Sequence, residues 1–353
     1  MNLITLSICI MFIFPICAEI SFEKGKVPEF DVNLDEAPET RFLKVNIHFK
    51  KALRHRTYEI LKILPWFDKL AFYFLYPLIK LLHYDYYMEL SSLSDIIDIP
   101  LYQVAAVDFF NEELNYCTSM CLRQNDGSIV HGRNLDTHWL GTLQNTTYIA
   151  HFYRDGKHVY DSVLFAGFTG TYTAVKPGSF SMSINLRKSK SAKYAVINLL
   201  NIFRGVRQDS WLLREAMEKL DTYDEAVSFI KQTEGAATDY FIICGKTDNE
   251  GTVITKNRNE VVNERTLTEE TWYLVQTNKD HFADVKDIRY LKAVEILNTH
   301  NYLEIGSENV MDSVMLQRPP AQANTIYSSI FVPNTHSSMT KLTTYTPKTD
   351  KSI

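Results

Sequence analysis

The chain has 353 residues, of which 45% are hydrophobic and 22% are charged, and its formal net charge at pH 7 is −5. This balance is typical of a globular protein and excludes a strongly basic nucleic-acid binder. The length allows two or three domains, or one large layered α/β unit. The 20 Tyr and 20 Phe suit either an ordinary core or a surface for lipidic ligands.

The first 18 residues form an apolar run that ends in a small residue before a polar sequence. A bilayer span needs about 20 residues, so we predict a secretory signal peptide over residues 1–18. This segment contains two of the five cysteines. Three remain, which are too few for a disulfide framework in a secreted chain. Their odd number predicts at least one free thiol.

Residues 19–41 are extended in character, with Pro28 and Pro38, and predict an edge strand followed by a turn. Residues 45–87 then carry apolar residues at helical spacing, which we expect to be broken at Pro65 and Pro77.

The most apolar window after the signal peptide is LAFYFLYPLI, residues 70–79, with lysines on both sides. Ten residues are too few to cross a bilayer. Two interpretations remain open, namely a buried core helix and an interfacial helix that rests on a membrane while its lysines meet anionic lipid.

Residues 92–107 predict a further helix, with Pro100 in an early turn. After Cys117 the pattern changes to alternation, which indicates strands, then helices, then strands and a final helix. The predicted strands are 148–153, 159–165, 180–186, 240–244, 252–255 and 272–277, and the predicted helices are 192–203, 210–219, 224–232 and 287–297. This order predicts a layered α+β sandwich.

Residues 116–139, YCTSMCLRQNDGSIVHGRNLDTHW, combine a cysteine, a turn signal and a charged return. Asp-Gly between two alternating runs is typical of a β-hairpin. Cys117 would then lie on one strand, with Arg133 and Asp136 beside it on the next. A thiol, a guanidinium and a carboxylate brought together in this way suggest a reaction centre.

Cys121 and His131 are the other metal-ligand types in this stretch. A C-x3-C spacing with one histidine and no second pair is weak evidence for zinc, so we predict no metal and no cofactor here. Cys121 is expected to be a buried core residue, and His131 a structural neighbour of Arg133. A papain-like Cys/His pair is disfavoured, because the motif that flanks such a cysteine is missing.

These motifs resemble those of the acid ceramidase and N-acylethanolamine acid amidase family of N-terminal-nucleophile (Ntn) hydrolases, within the choloylglycine-hydrolase-like superfamily. The resemblance rests on CTS after the predicted junction and on HGRNLD after the Asp-Gly turn. Six further blocks follow the family's order, at residues 27–42, 98–116, 165–185, 239–245, 275–280 and 287–293. The block at 165–185 and the DIPL of the block at 98–116 look closer to acid ceramidase, whereas HGRNLD and NTIYSSIF look equally like the amidase.

The resemblance implies an inactive precursor that is cut between Tyr116 and Cys117, which makes Cys117 both the nucleophile and the new N-terminus. An α-amine has a reference pKa of about 7.7 to 8.0, so it can take the thiol proton without a catalytic histidine. Asp136 would orient this amine. Arg133 would favour the thiolate and bind a carbonyl.

By the same resemblance, Asn278 would donate to the oxyanion and Arg289 would be a further catalytic arginine. Leu186 stands where the family tends to have Glu, so a role for that Glu does not carry over. Asn145 begins the sequon Asn-Thr-Thr and is expected to be glycosylated on a surface loop.

The implied fold is an αββα four-layer sandwich with an N-terminal helical subunit. Residues 19–116 would form the propeptide-derived α subunit, with a membrane-contacting helix near 70–83, and residues 117–353 the catalytic β subunit. The family's intersubunit disulfide lacks its cysteines here, so the two subunits would associate non-covalently. The implied location is the lysosome, the exterior, or both, and a lipid-presenting activator protein is a further implied partner.

The expected reaction is hydrolysis of the amide bond of an N-acyl lipid, with ceramide favoured as the substrate. N-acylethanolamine is the alternative substrate. A protein of another class, which binds lipid without turnover, would keep the apolar helices but would not need a reactive cysteine.

Overall fold

The structure is a computed structural model that describes residues 27–64, 66–111, 115–137, 143–187, 192–284, 286–300, 306–335 and 337–342. The predicted signal peptide, residues 1–18, lies outside the described residues. No described helix is long and apolar enough to cross a membrane.

The N-terminal third is one strand followed by helices. The strand β1 (Glu29–Asn33) pairs in parallel with a later strand and forms the edge of a sheet, as its sequence predicts. The helices are α1 (Pro38–Arg41), α2 (Leu43–His48), α3 (Lys50–Ile63), α4 (Trp66–Leu82), α5 (Tyr84–Ile97) and α6 (Leu101–Asn111).

Two predicted helix boundaries are wrong. Pro77 does not end α4, because it lies on the exposed face, where water can hydrogen-bond the carbonyl that the proline leaves unpaired. The single helix predicted over 92–107 is two helices, since α5 ends at Asp98, which has a left-handed φ of 55°. Pro100 disfavours a helical conformation at the residue before it, so a new helix starts only at Leu101.

The rest of the chain builds two sheets and further helices. The strands are β2 (Asn115–Arg123), β3 (Ile129–Thr137), β4 (Thr147–Arg154), β5 (Lys157–Phe165), β6 (Thr173–Lys176), β7 (Phe180–Leu186), β8 (Asp239–Cys244), β9 (Gly251–Asn257), β10 (Glu260–Thr266), β11 (Tyr273–Gln276), β12 (Thr325–Val332) and β13 (Ser337–Leu342). The helices are α7 (Ala192–Phe203), α8 (Asp209–Lys219), α9 (Tyr223–Gln232), α10 (Ile288–Thr299) and α11 (Ser307–Val310), followed by a π-helical turn, Met311–Met315.

The strands divide into a larger and a smaller sheet. The larger has the order β1-β4-β5-β6-β7-β8-β9-β10, and the smaller has the order β11-β2-β3-β12-β13. Four of these strands, β6, β10, β12 and β13, are absent from the sequence prediction. In β12 every residue is buried, so the strand shows no alternation of exposed and buried positions.

Four layers follow from where the apolar residues pack. One core lies between the larger sheet and helices of the N-terminal third together with α8 and α9. Another lies between the smaller sheet and α10 with the π-helical turn. Two clusters fill the space between the sheets, and they include Cys117 and Cys121. The order helix, sheet, sheet, helix confirms the predicted αββα architecture.

A disulfide joins the two sheets. It links Cys121 on β2 to Cys244 on β8, with their Cα atoms 5.9 Å apart. The sequence predicts Cys121 only as a core residue, and it is fully buried, but its pairing was missed because 123 residues separate the partners. Cys117 is the free thiol that the odd cysteine count predicts.

Candidate active site

The predicted hairpin forms and carries the candidate nucleophile. Strands β2 and β3 pair antiparallel around the Asp-Gly turn, where Gly127 has a φ of 80° that glycine adopts without strain. In this register Tyr116 lies opposite Asp136, and Ser119 lies opposite Arg133. The local sequence therefore fixes three of the five predicted catalytic residues relative to one another.

Cys117 is buried between the sheets, and its main chain is held from both sides. Its backbone N–H donates to Oδ1 of Asn278 at 2.7 Å, and its carbonyl accepts from Nη1 of Arg289 at 3.0 Å. These two residues follow in sequence by more than 160 positions. The two contacts therefore fix the backbone nitrogen and carbonyl on either side of the Cα of Cys117.

Arg289 is the hub of the charged groups in the site. Its Nη1 also donates to Oδ2 of Asp136 at 3.1 Å, and its Nη2 donates to Oδ1 of Asn278 at 2.9 Å. Asp287, which caps the N-terminus of α10, accepts from Nη2 at 2.8 Å and from Nε at 3.1 Å. Burial disfavours the charged guanidinium, but Asp287 and then Asp136 raise its pKa above the usual value.

Asp136 is a buried carboxyl with a strongly shifted pKa. Burial raises that pKa to about 6, against the opposing effects of a hydrogen bond from Thr325 and of the charges of Arg289 and Arg133. Near pH 6 this carboxyl is therefore present both in its protonated form, which can donate a proton, and in its ionised form, which can accept one. Such a group can serve as a general acid or base in a mildly acidic solution.

Arg133 is fixed by polar groups of both sheets. Its Nη1 donates to Oγ of Ser119 at 2.9 Å and to Oδ1 of Asn185, and its Nη2 donates to the carbonyl of Ile184 at 2.8 Å. Ser119 also donates to Asn185 at 2.8 Å. The guanidinium is thus held in one orientation beside the thiol.

The thiol of Cys117 is protonated in this uncut chain. Burial raises its pKa, and Asp136 raises it further, whereas Arg133 lowers it through its charge and a hydrogen bond, and Arg289 lowers it through its charge. The rise prevails because the side chain has no access to solvent. A buried neutral thiol is a poor nucleophile.

Asn278 is oriented by its partners. Its Oδ1 accepts from Cys117 and Arg289, and its Nδ2 donates to the carbonyl of Leu186 at 2.7 Å. The reverse orientation would place the NH2 group against two donors. One amide hydrogen is therefore bound to Leu186, and the second, which has no acceptor among the residues that the structure describes, is left for the predicted contact with an oxyanion.

His131 lies in the polar layer between the sheets, as predicted for a structural residue. Its ring nitrogens hydrogen-bond the hydroxyls of Ser181 and Ser183, each at 2.9 Å. Burial and the charge of Arg133 lower its pKa to about 3, so the ring is neutral. The zinc grouping considered with Cys121 is ruled out, since that cysteine is in the disulfide.

The structure brings all five predicted catalytic residues together, namely Cys117, Arg133, Asp136, Asn278 and Arg289. Local patterns missed Ser119, Asn185 and Thr325, which hold the charged groups; Asn185 ends a motif block, but nothing marks it as polar and buried. Asn145 is exposed in the turn before β4, away from this layer, as a glycosylated residue would need to be.

One wall beside Cys117 is aromatic. The cluster that contains the cysteine includes Phe165, Phe168, Tyr172 and Tyr327. Tyr327 donates to or accepts from Thr173 at 2.8 Å, and burial raises its pKa. An apolar wall next to a thiol suits the hydrocarbon part of a substrate.

Comparison with known proteins gives two kinds of relative, although no family model matches the chain. The chain is 30% identical to the Caenorhabditis elegans N-acylethanolamine-hydrolyzing acid amidase over 350 residues, which are 92% of this chain and 94% of that protein. It is 29% identical to the Homo sapiens acid ceramidase over 337 residues, 87% of this chain and 84% of that protein.

A solved structure also matches. It is described as a Caenorhabditis elegans N-acylethanolamine-hydrolyzing acid amidase ortholog, with a TM-score of 0.58 and 30% sequence identity. The match covers 62% of this chain and 93% of that chain. The relatives thus carry two activity names, which makes the choice of substrate a separate question from that of the family.

Proposed function

Since this chain belongs to the acid ceramidase and N-acylethanolamine acid amidase family of Ntn hydrolases, we propose that it matures by cutting itself between Tyr116 and Cys117 and then uses Cys117 as the nucleophile. It is an enzyme that hydrolyses amide C–N bonds of N-acyl lipids. The observation that carries the proposal is the convergence of Asn278, Arg289, Asp136 and Arg133 on the main chain and thiol of one buried cysteine.

The uncut chain has the features of a zymogen. Cys117 is fully buried and its thiol is held neutral, so substrate cannot reach a reactive sulfur. In the proposed cut, Asp136, which lies opposite Tyr116, takes the proton of Sγ, and Sγ bonds to the carbonyl carbon of Tyr116. The C–N bond to Cys117 then breaks as Asp136 passes that proton to the departing nitrogen. Water hydrolyses the thioester, which restores the thiol and leaves a carboxyl group on Tyr116.

In turnover, the new α-amine of Cys117 takes the proton of the thiol, and the thiolate attacks the amide carbonyl of the lipid. The ammonium then gives its proton to the departing amine, which leaves a thioester on Cys117. Water, deprotonated by the α-amine, attacks the thioester and frees the fatty acid. Asn278 already accepts from this nitrogen, and with Asp136 it would keep the amine in place.

Donors for the oxyanion are the second amide hydrogen of Asn278 and the guanidinium of Arg133. Each acts where water is excluded, so its effect on a developing negative charge is large. Leu186 offers only its carbonyl to Asn278, and the mechanism therefore assigns no step to the side chain at that position.

Contacts between the two proposed subunits, residues 19–116 and 117–353, support non-covalent association after the cut. Strand β1 adds to the larger sheet beside β4, so backbone hydrogen bonds cross the boundary. Glu89 on α5 forms a buried bidentate ion pair with Arg214 on α8, at 2.6 and 2.7 Å. The disulfide lies within the second subunit and does not join the two.

We infer that α4 contacts a lipid surface. A continuous stripe of its apolar side chains is exposed, namely Trp66, Leu70, Tyr73, Phe74, Leu78, Leu81 and Leu82. Helix α7, which packs on α4, adds the exposed Val196 and Leu200. Lys62 precedes the stripe in sequence, and Lys69 and Lys80 lie within its span, as expected of a helix that lies on anionic lipid.

The substrate proposed first is ceramide, on the strength of the sequence blocks that resemble acid ceramidase, and N-acylethanolamine is the alternative. The enzyme would act in the lysosome or outside the cell after secretion, with Asn145 glycosylated. A lipid-presenting activator protein would assist delivery. The pKa of Asp136, about 6, suits work in a mildly acidic compartment.

The test is hydrolysis of a long-chain ceramide and of palmitoylethanolamide, side by side, by secreted protein incubated at acidic pH. Cys117→Ala should remain one chain and release neither fatty acid, while the exposed-site control His55→Gln should match the wild type. Faster release of sphingosine would favour ceramide, and faster release of ethanolamine the alternative.

The second candidate, a lipid carrier without turnover, is favoured only by the exposed apolar stripe. It predicts lipid binding that Cys117→Ala leaves unchanged and no fatty-acid release from either substrate. A chain that is cut before Cys117 yet hydrolyses neither lipid would overturn the amidase proposal for these substrates and support the carrier.

A further inference from the structure

Two histidines and an aspartate meet on the larger sheet, and none of them belongs to the five predicted catalytic residues. They are His151 on β4 and His158 and Asp161 on β5, and their ligand atoms all lie within 4.8 Å of one another. Among the described residues this is the group that could hold a metal ion. We propose that it binds zinc, with Glu29 of β1 as an orienting partner.

A bulge brings His158 to the same face as Asp161. Residues three apart on a regular strand point to opposite faces, because side chains alternate. Here the register shifts, so that Phe152 lies opposite Tyr160 but Tyr153 lies opposite His158. The extra residue reverses the alternation, and His158 joins Asp161 and its register partner His151.

Distances among the donors are close to those of a metal site. Oδ1 of Asp161 lies 2.6 Å from Nδ1 of His151 and 2.6 Å from Nε2 of His158. Two ligands of a tetrahedral zinc ion, with bonds of about 2.0 to 2.1 Å, would be about 3.3 Å apart. Each pair must therefore open by less than 1 Å, which partly exposed side chains can do by small rotations.

Glu29 supplies a hydrogen-bond acceptor for Nε2 of His151, the ring nitrogen that would not bind zinc. Its Oε2 lies 3.3 Å from Nε2 of His151, while Nδ1 of that ring faces Asp161. A hydrogen bond from Nε2 to Glu29 would place the lone pair on Nδ1, toward the ion. Carboxylates commonly orient metal-binding histidines in this way, and removing one costs about 10 to 100-fold in affinity.

The donor set favours zinc over calcium or magnesium. Two imidazoles and one carboxylate are borderline ligands typical of zinc, whereas the harder ions prefer oxygen alone. The side chains of His151, His158 and Asp161 are 28%, 34% and 17% exposed, so an ion can enter from solvent and keep water in the fourth position.

A bound ion would also tie β1 to its neighbours. Glu29 belongs to the N-terminal subunit, and the three ligands belong to the catalytic one, so the Glu29–His151 contact crosses the proposed cut. This consequence rests on the proposed maturation, whereas the binding of zinc does not.

The first test is titration of zinc chloride into metal-stripped full-length protein at pH 7.5 by isothermal calorimetry. We expect one zinc per chain, at least tenfold weaker binding in His158→Gln and in Asp161→Asn, and about 10 to 100-fold weaker binding in Glu29→Gln. His55→Gln, at an exposed histidine outside the group, should bind as the wild type does. Unchanged affinity in the three site variants, or no stoichiometric binding, would overturn the site.

A second measurement separates this site from the catalytic thiol. Cys117→Ala should bind zinc as tightly as the wild type, whether or not the chain is cut. Loss of binding in that variant would place the ion at the thiol and overturn the proposal. In cut protein, zinc should slow the separation of the two chains in urea, and the same rate with and without zinc would overturn the tie through β1.

Discussion

The layer between the two sheets buries charged side chains, whereas the outer face of α4 exposes apolar ones. Between the sheets, the charged residues Arg133 and Asp136 are fully buried. On α4, Trp66 is 73% exposed and Leu81 is 80% exposed. Folded proteins usually bury apolar side chains and leave charges in water, so each region carries a cost in stability that its function has to explain.

The two costs differ in how they are offset. The buried charges have hydrogen-bond partners. Asp136, for example, accepts from both Arg289 and Thr325. The apolar side chains of α4 face water on their outer side, while Phe72 and Ile79 anchor the helix to the core. Polar interiors therefore require accurate geometry, whereas an apolar exterior requires only a partner surface. Substitutions should separate the two by their effect on stability.

The largest effect is expected from Arg289→Met. The change leaves Asp136 and Asp287 without their cation, and removing one partner of a buried ion pair costs about 3–5 kcal/mol. Urea unfolding should show this loss, and cutting before Cys117 should fail. Lys292→Met, on the same helix but 36% exposed, should change stability by less than about 0.5 kcal/mol. Equal losses in both variants would contradict the role given to Arg289.

The double variant Cys121→Ser/Cys244→Ser should come next. It removes the covalent link between the sheets on either side of the polar layer, and a disulfide across 123 residues is worth roughly 2–5 kcal/mol. Chemical unfolding without reductant measures the difference, and Cys117→Ser controls for a cysteine outside the bridge. If the double variant unfolds at the wild-type midpoint, packing alone holds the sheets together.

Asp108 allows the cost of a buried carboxyl to be measured through the pH dependence of stability. Burial raises its pKa to about 6, although Thr169 donates to it through N–H and hydroxyl at 3.0 and 2.9 Å. Between about pH 6 and 4 the folded chain holds a proton that the unfolded chain lacks, so this group stabilises the fold as pH falls. Asp108→Asn removes this pH-dependent contribution to the free energy of unfolding.

The free energy of unfolding of the wild type, relative to Asp108→Asn, should rise by about 1–3 kcal/mol from pH 7 to pH 4. Thermal or urea unfolding at both pH values measures it. Asp35→Asn, at an exposed carboxyl of the N-terminal third, is the control for the substitution itself. A wild-type advantage that shrinks in acid would contradict the shift.

The sequence predicts well what a short stretch decides. The Asp-Gly turn sets the β2–β3 hairpin, and alternation then places Arg133 and Asp136 beside Cys117. The helix-sheet-sheet-helix order also follows from the alternation and helical patterns together with the family motifs. Pro77 shows the limit of a local rule, because exposure of the turn, which the sequence does not reveal, decides whether a helix survives a proline.

Long-range partners are beyond such patterns. The family motifs identify Asn278 and Arg289. Only the fold shows that one hydrogen-bonds the backbone N–H of Cys117 and the other its carbonyl. Thr325 lies on β12, a strand whose residues are all buried and which therefore has no alternating pattern. The partner of Cys121 is equally hidden, since β8 and β2 meet only when the sheets stack.

The smallest effect on stability is expected from the face of α4. Leu81→Ser and Phe74→Ser change side chains that are 80% and 67% exposed, so unfolding should shift by less than about 0.5 kcal/mol. Each lost apolar contact with lipid should cost about 1 kcal/mol, so the rate on substrate in anionic vesicles should fall about fivefold per variant. Met339→Ser, at an apolar residue of β13 that is 45% exposed, is the matched control.

A short-chain, water-soluble substrate distinguishes this effect from damage to the site. The α4 variants should hydrolyse it at the wild-type rate, since Cys117 and its partners lie in the buried layer between the sheets. An equal fall on soluble and vesicle substrates would show that α4 acts on the site itself. The exposed stripe and the buried charges would then form one functional unit, and the contrast between the two regions would fail.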